Sequence, residues 1–166
     1  MIKYPFVPEG GEYKYVNLAN QYMRLARNYA WSDSIDKDTP TASVIVKDNK
    51  IIGIGANGSD FHKKNECVRV IKKIPTGQGY ELCEGCHPKN HSEQRAIKDA
   101  LSKNNDIEGA DLYLWGHWWC CQWCWEEIIK AKIKNVYLLQ GSEKLFNDDS
   151  AENILGKQFV GALAKN

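Results

Sequence analysis

Two stretches decide how this chain folds: His91-Ser92-Glu93-Gln94-Arg95-Ala96-Ile97 and, about thirty residues further on, Cys121-Gln122-Trp123-Cys124. In the first, Ala96, Ile97, Ala100 and Leu101 recur at helical steps and predict a helix over 91–103 with one apolar side. Its first turn carries an imidazole and a carboxylate. Side chains two residues apart do not share a helical face, so His91 and Glu93 are free to serve different partners. The second stretch opens another predicted helix, over 121–132, with two thiols at a spacing that lets both sulfurs grip one ion.

Working outward, 110–115 and 135–139 read as strands on either side of the second helix. Strand, helix, strand in that order favours a parallel pairing. Upstream, the β-branched runs 41–46 and 51–55 flank Lys47-Asp48-Asn49-Lys50, a turn composition suited to an antiparallel hairpin. Over 16–30, apolar and small positions including Leu18, Tyr22, Met23, Leu25, Ala26 and Tyr29 predict an amphipathic helix, and 31–40 is a polar connection. A last helix is expected from Ser150, a suitable N-cap, through Leu155 towards Leu163. The pattern is a mixed sheet flanked by helices.

With 166 residues the chain fits a single domain, 1–166, able to bury a core without disulfides. Its 22 basic and 21 acidic side chains leave a net charge of +1, which supplies no general field for a polyanion, so nucleic acid is disfavoured as a partner without being excluded. The first ten residues carry two prolines and no signal-like apolar core, and no later stretch is long and apolar enough to span a bilayer. The expectation is a cytoplasmic protein that meets no membrane. In a reducing compartment, six cysteines with two Cys-x-x-Cys pairs and nearby histidines point to metal ahead of disulfides.

His91, Cys121 and Cys124 offer zinc three ligands and leave the fourth position for water. Glu93 then stands unligated beside it as a proton carrier. A Cys-x-x-Cys by itself also suits a redox pair or a closed structural zinc. Adding His-x-Glu upstream gives the constellation of zinc enzymes that deaminate nucleobases. The insertion at about 58–90 has weak periodicity, several Gly and Pro, and His62, Cys67, Cys83 and Cys86, which would make a second, closed zinc site with His87 as the alternative to His62. Free loop thiols are the competing reading.

From about Thr41 to Leu139 the chain resembles the cytidine and deoxycytidylate deaminase superfamily. The residues that carry the resemblance are Thr41-Ala42-Ser43-Val44-Ile45-Val46, Gly55-Ala56-Asn57-Gly58, His91-Ser92-Glu93, Leu112-Tyr113-Leu114 and Cys121-Gln122-Trp123-Cys124. Asn57-Gly58 and the cysteine-bearing insertion look nearest the deoxycytidylate branch. The resemblance implies a three-layer α/β/α sandwich around a mixed five-stranded sheet, and zinc on His91, Cys121 and Cys124. It also implies Glu93 as proton shuttle, Asn57 on the sugar of a nucleotide substrate, and a homo-oligomer. The expected activity is hydrolytic deamination of a cytosine nucleotide to its uracil counterpart. Four features depart from the family pattern: Cys120 replaces a usual proline, Ser92 a commoner alanine, Arg95 stands where the deoxycytidylate branch often has asparagine, and 115–119 is about two residues longer and far more aromatic.

That aromatic segment should wall the base, so Ser92, His117, Trp118 and Trp119 join Asn57 as candidate substrate contacts. Trp118 and Trp119 suit either base stacking or an aromatic core beneath the zinc loop. Lys63, Lys64, Arg69, Lys72 and Lys73 suit either a phosphate or an ordinary solvated face. Two further readings remain open at this point: a deaminase of another base or of single-stranded nucleic acid, and a zinc and nucleotide-binding module without catalysis.

Overall fold

The structure, a computed structural model, describes residues 5–155. In chain order its elements are β1 (Tyr13–Val16), α1 (Gln21–Asp33), β2 (Ala42–Lys47), β3 (Lys50–Ala56), the short α2 (Val68–Ile71), α3 (Ser92–Ser102), β4 (Asp111–Trp115), α4 (Gln122–Lys130), β5 (Asn135–Leu139) and α5 (Ser142–Phe146). The strands form one sheet in the order β1-β5-β4-β2-β3. β1 and β4 run parallel to β5, whereas β2 runs antiparallel to both β3 and β4. The expected hairpin and the expected parallel pair are both present.

Alternation along the strands sorts side chains into two cores. Ile45, Leu112, Leu114, Val136 and Leu138 pack with α3 and α4 on one face. Ala42, Val44, Val46, Tyr113 and Trp115 pack with Met23, Ala26 and Ala30 of α1 on the other. The result is the anticipated three-layer sandwich with a mixed five-stranded sheet. In the hairpin turn, Asp48 and Asn49 take φ of +50° and +61°, the left-handed pair that closes a two-residue connection.

One close approach fixes where α3 sits. A Cβ on Gly55 would lie 2.4 Å from the backbone nitrogen of Ala96, and one on Gly53 would lie 2.4 Å from the Ala96 carbonyl oxygen. The missing side chains on β3 let the helix lie directly on strand backbone, which brings His91 and Glu93 down to the edge of the sheet.

Two expectations need correction. The first helix begins at Gln21, not 16, because the Asn20 side chain accepts from the backbone N–H groups of Tyr22 and Met23 and so sets the start. Residues 13–16 become a strand instead, too short at four residues to show periodicity. From Ser150 the chain makes successive turns, with Ser150 Oγ capping only the N–H of Glu152, so the described part of the expected last helix is not helical. The remainder of that helix lies outside the described residues.

Candidate active site

Two helix starts converge at one end of the sheet. His91 is the N-cap of α3 and Cys121 the N-cap of α4. Neither side chain caps the backbone of its own helix, so both are available to a ligand. His91 Nδ1 lies 3.4 Å from Cys121 Sγ and 3.4 Å from Cys124 Sγ. Ligands on a tetrahedral zinc at ordinary Zn–N and Zn–S lengths stand about 3.6 Å apart, so the donor set matches the ion in both chemistry and size.

The electrostatics agree. A hydrogen bond with Cys124, and then His91, draw the Cys121 thiol down to about 6. Burial first, and then the hydrogen bond with Cys121 and the negative charges of Glu93 and Cys121, push the Cys124 thiol up. Burial opposes protonation of His91, but Cys121 and a backbone hydrogen bond to Cys86 raise it. The ring of Tyr80 stands edge-on to His91 at 4.8 Å and fixes its plane.

Glu93 is 5 % exposed and, among the described residues, belongs to no ligand cluster. Ser92 Oγ donates to its Oε2 at 3.1 Å, and Ser43 Oγ lies 2.9 Å from Ser92 Oγ. An open cavity of about 1050 Å³ reaches from this carboxylate past Asn57, His117 and Trp118 to Lys63 and Arg69. A three-ligand set, a buried unligated carboxylate and a cavity above them are the parts that metal-assisted hydrolysis needs.

The family model for the cytidine and deoxycytidylate deaminase zinc-binding region matches residues 16–140. The chain belongs to this family. No curated protein sequence matches it. Among solved structures, the deaminase is similar to dCMP deaminase from cyanophage S-TIM5 at 23 % identity, over 73 % of this chain and 82 % of that one, with a TM-score of 0.49. It is also similar to guanine deaminase from Bacillus subtilis at 18 % identity, over 90 % and 94 %, with a TM-score of 0.46. A third is the diaminohydroxyphosphoribosylaminopyrimidine deaminase/reductase from Thermotoga maritima, at 23 % identity and a TM-score of 0.44. The match covers 72 % of this chain and only 29 % of that longer one. These relatives are named for different substrates, so the likeness selects none for this deaminase. Its metal is zinc.

The remaining predicted residues fall into three groups. Asn57 lines the cavity, but its amide is heavily engaged: Oδ1 accepts from Ser34 Oγ at 2.6 Å and from the Thr41 N–H at 2.8 Å, and Nδ2 donates to the Thr39 carbonyl at 2.9 Å. It holds the loop that forms one lip of the cavity. His117 Nδ1 accepts from the backbone N–H of Trp119 at 3.3 Å, so in the neutral ring the proton sits on Nε2. Burial pulls this imidazole down to about 4 and keeps it neutral. Trp118, half-buried, and Trp119, 3 % exposed, both reach the cavity wall, and Trp119 also packs in the core beneath, edge-on to both His117 and Trp118.

The insertion does draw its four candidates together. The ligating atoms of His62, Cys67, Cys83 and Cys86 all lie within 4.8 Å of one another. His62 Nε2 is 3.2 Å from Cys83 Sγ, and Cys67 Sγ is 3.8 Å from Cys83 Sγ and 3.5 Å from Cys86 Sγ. Four donors at tetrahedral edge lengths make a cluster able to enclose an ion with no open position. A Cβ on Gly85 would lie 2.4 Å from His62 Nε2, so this position must be glycine for the ring to close the cluster. His87 instead accepts from the Lys89 N–H.

Of the basic residues, Lys63 and Arg69 reach the cavity wall. Arg69 is bound to the carbonyls of Gln78 and Pro75 and lies over the Tyr80 ring at 4.2 Å. Sequence reasoning missed Ser34, Asn90 and Tyr80. Asn90 Nδ2 donates to the Glu84 carbonyl at 2.8 Å and its own carbonyl accepts from Gly58, joining the insertion to the sheet. Its place directly before His91 was the available signal. Tyr80 gave none.

Proposed function

We propose that the protein hydrolytically deaminates a cytosine mononucleotide, releasing ammonia and the uracil nucleotide. The single observation that carries this reading is Glu93: a buried, unligated carboxylate beside three ligand atoms spaced for one zinc, at the floor of a cavity. His91, Cys121 and Cys124 hold the metal. Bound there with one open position, zinc supplies the Lewis acidity that makes water nucleophilic near neutral pH.

The chain's own groups do the rest. Glu93 takes one proton from the attacking water and passes it to ring nitrogen N3, then takes the remaining proton from the added hydroxyl and gives it to the amine as it leaves. Water and the amino-pyrimidine are consumed; ammonia and the carbonyl product are formed. Neutral His117 presents Nε2–H as a donor to an acceptor on the substrate, and Trp118 offers the base an aromatic wall. Lys63 and Arg69 lie on the side open to a phosphate. Asn57 shapes the lip nearest the sugar. The insertion cluster holds a second, structural zinc, and the whole chain works as one domain within a homo-oligomer.

The test is ammonia release by zinc-loaded protein across free bases, nucleosides, mononucleotides and single-stranded oligonucleotides. The reading expects turnover on a cytosine mononucleotide. Turnover confined to another base or to oligonucleotide would move the assignment, and nucleotide binding without ammonia release would remove it. Sedimentation analysis tests the oligomer separately.

A further inference from the structure

Asn90 sits where three parts of the molecule meet: the insertion, the lip of the cavity and the start of α3. It ends the short turn Pro88–Asn90 directly before His91, is 9 % exposed, and lines the same cavity as Glu93. Its side-chain amide faces the insertion. Nδ2 donates to the Glu84 carbonyl at 2.8 Å and to the Gly85 carbonyl at 3.3 Å, the two residues inside the 83–86 turn that the Cys86 N–H closes on the Cys83 carbonyl. Its backbone N–H donates to the His87 carbonyl at 2.8 Å, and its backbone carbonyl accepts from the Gly58 N–H at 3.1 Å.

The remaining oxygen is met by Arg95, one turn into α3. Nη2 of the guanidinium reaches Asn90 Oδ1 at 3.4 Å, while Nη1 donates to the Ala56 carbonyl at 3.1 Å. Ala56 and Gly58 flank Asn57, so both ties land on the lip. That lip cannot hold itself. Strand pairing stops at Ala56. Gly58 has a φ of +110° and no room for an anchoring side chain, since a Cβ there would lie 2.5 Å from the Asp36 nitrogen. The bonds that hold Asn57, from Ser34, Ile35 and Thr41, all belong to the 34–41 loop. The lip thus hangs between two supports, and Asn90 with Arg95 forms the one that leads to the insertion.

We propose that Asn90 and Arg95 are positioning residues that carry the order of the insertion to the lip, so that an intact 83–86 turn sets how tightly the cavity takes a nucleotide. The turn fixes the Glu84 and Gly85 carbonyls, these hold Asn90, and Asn90 with Arg95 holds Ala56 and Gly58. A lip that is ordered beforehand costs the substrate less to bind. None of these bonds reaches Glu93, so the effect falls on binding and not on proton transfer. The claim on affinity rests on the reading above that the sugar lies at this lip.

The experiment uses the full chain loaded with zinc and has two arms. The first needs no substrate: deuterium exchange of the Gly58 N–H is followed by NMR in the wild type, Cys83→Ser, Asn90→Ala and the double variant. Each single variant is expected to speed exchange about tenfold, and the double variant to go no more than about twofold beyond Asn90→Ala. Exchange that Cys83→Ser leaves unchanged, or two effects that multiply in the double variant, overturns the coupling. In the second arm, Asn90→Ala and Arg95→Met are each expected to raise KM for the nucleotide that releases ammonia about tenfold, with kcat within about threefold and the zinc at His91 retained. A fall in kcat at unchanged KM, or loss of that zinc, overturns the proposal, because the two residues would then serve Glu93 or the metal. Should Asn90→Ala not fold, Arg95→Met combined with Cys83→Ser decides the first arm in the same way. The two levels separate. If no nucleotide is turned over, the substrate reading falls and Gly58 exchange alone decides whether the insertion orders the lip; if turnover is present and KM does not move, the proposal falls and the substrate reading stands.

Discussion

His117 offers the clearest test of the site's electrostatics. It is held near 4 against an ordinary value of 6.5, first by burial, with His91 pushing the same way and Glu93 and Asp148 opposing; its Nδ1 accepts from Trp119 N–H. The folded state therefore resists protonation until about pH 4, while the unfolded chain takes up that proton near pH 6.5. Stability from the neutral ring is fully present above the unfolded value and is lost as pH falls through the window from 6.5 to 4. A gap of 2.5 pH units, at about 1.36 kcal/mol each, is worth about 3 kcal/mol. His117→Gln keeps a polar side chain of similar reach and cannot titrate. Denaturant unfolding of both proteins at pH 7 and pH 4 should show the variant gaining about 3 kcal/mol on the wild type as pH falls. A zinc ion nearby adds repulsion of the same sign. The proton resonance of the His117 ring, assigned by its loss in the variant, should titrate near 4. A midpoint at 6.5 or above, or a stability difference that does not change with pH, would refute the reasoning.

Three other outcomes are expected. Glu93→Gln should keep its active-site zinc, measured by elemental analysis, while kcat for ammonia release drops by about 10²–10⁴-fold, the usual worth of a general acid–base group. Cys83→Ser should lower the zinc stoichiometry from two per chain to one and open the 58–90 segment to proteolysis; retention of two equivalents would show that Cys83 is not a ligand. Gly55→Ala places a methyl 2.4 Å from the Ala96 backbone nitrogen, where neither strand nor helix can give way cheaply. It should cost at least about 1–3 kcal/mol in urea unfolding, and a neutral result would show that α3 does not rest on β3 as described.

What was legible in the chain follows from what periodicity records. β2, β3, β4 and β5 were readable because each is a β-branched or apolar run bounded by turn chemistry, and Asp48-Asn49 adopts the left-handed pair its composition implies. β1 was not, because a four-residue edge strand owes its existence to pairing with β5, which no local pattern announces. The His91, Cys121 and Cys124 cluster could be assembled from spacing because both helices begin at their ligands. The walls could not. Asn57 carries a turn signature in sequence, but its engagement by Ser34, Thr39 and Thr41 depends on a loop folding back across the sheet end. Trp118 and Trp119 are chemically alike and adjacent and both reach the cavity, yet Trp119 is buried in the core while Trp118 stays partly exposed, a difference set by the path of the segment between β4 and α4.

The insertion raises a physical question that its own composition answers. Between Gly58 and Asn90 the chain makes only short turns of helix, and it leaves Val70, Ile71 and Leu82 largely exposed, so apolar burial alone does not order it. The four-residue cluster provides what the core does not, since binding free energy at a closed zinc site is ordering free energy for the loop that supplies its ligands. That order reaches the chemistry through Cys86 and Tyr80. The Cys86 sulfur belongs to the insertion cluster and its backbone is among the groups that raise the His91 imidazole, while Tyr80 from the same insertion packs edge-on against that ring. Partners of this kind orient a metal-bound histidine, and their loss typically costs 10–100-fold in metal affinity. Zinc bound at the insertion cluster would therefore be linked to zinc bound at His91, and the stoichiometry lost in Cys83→Ser should be accompanied by weaker retention of the ion that remains.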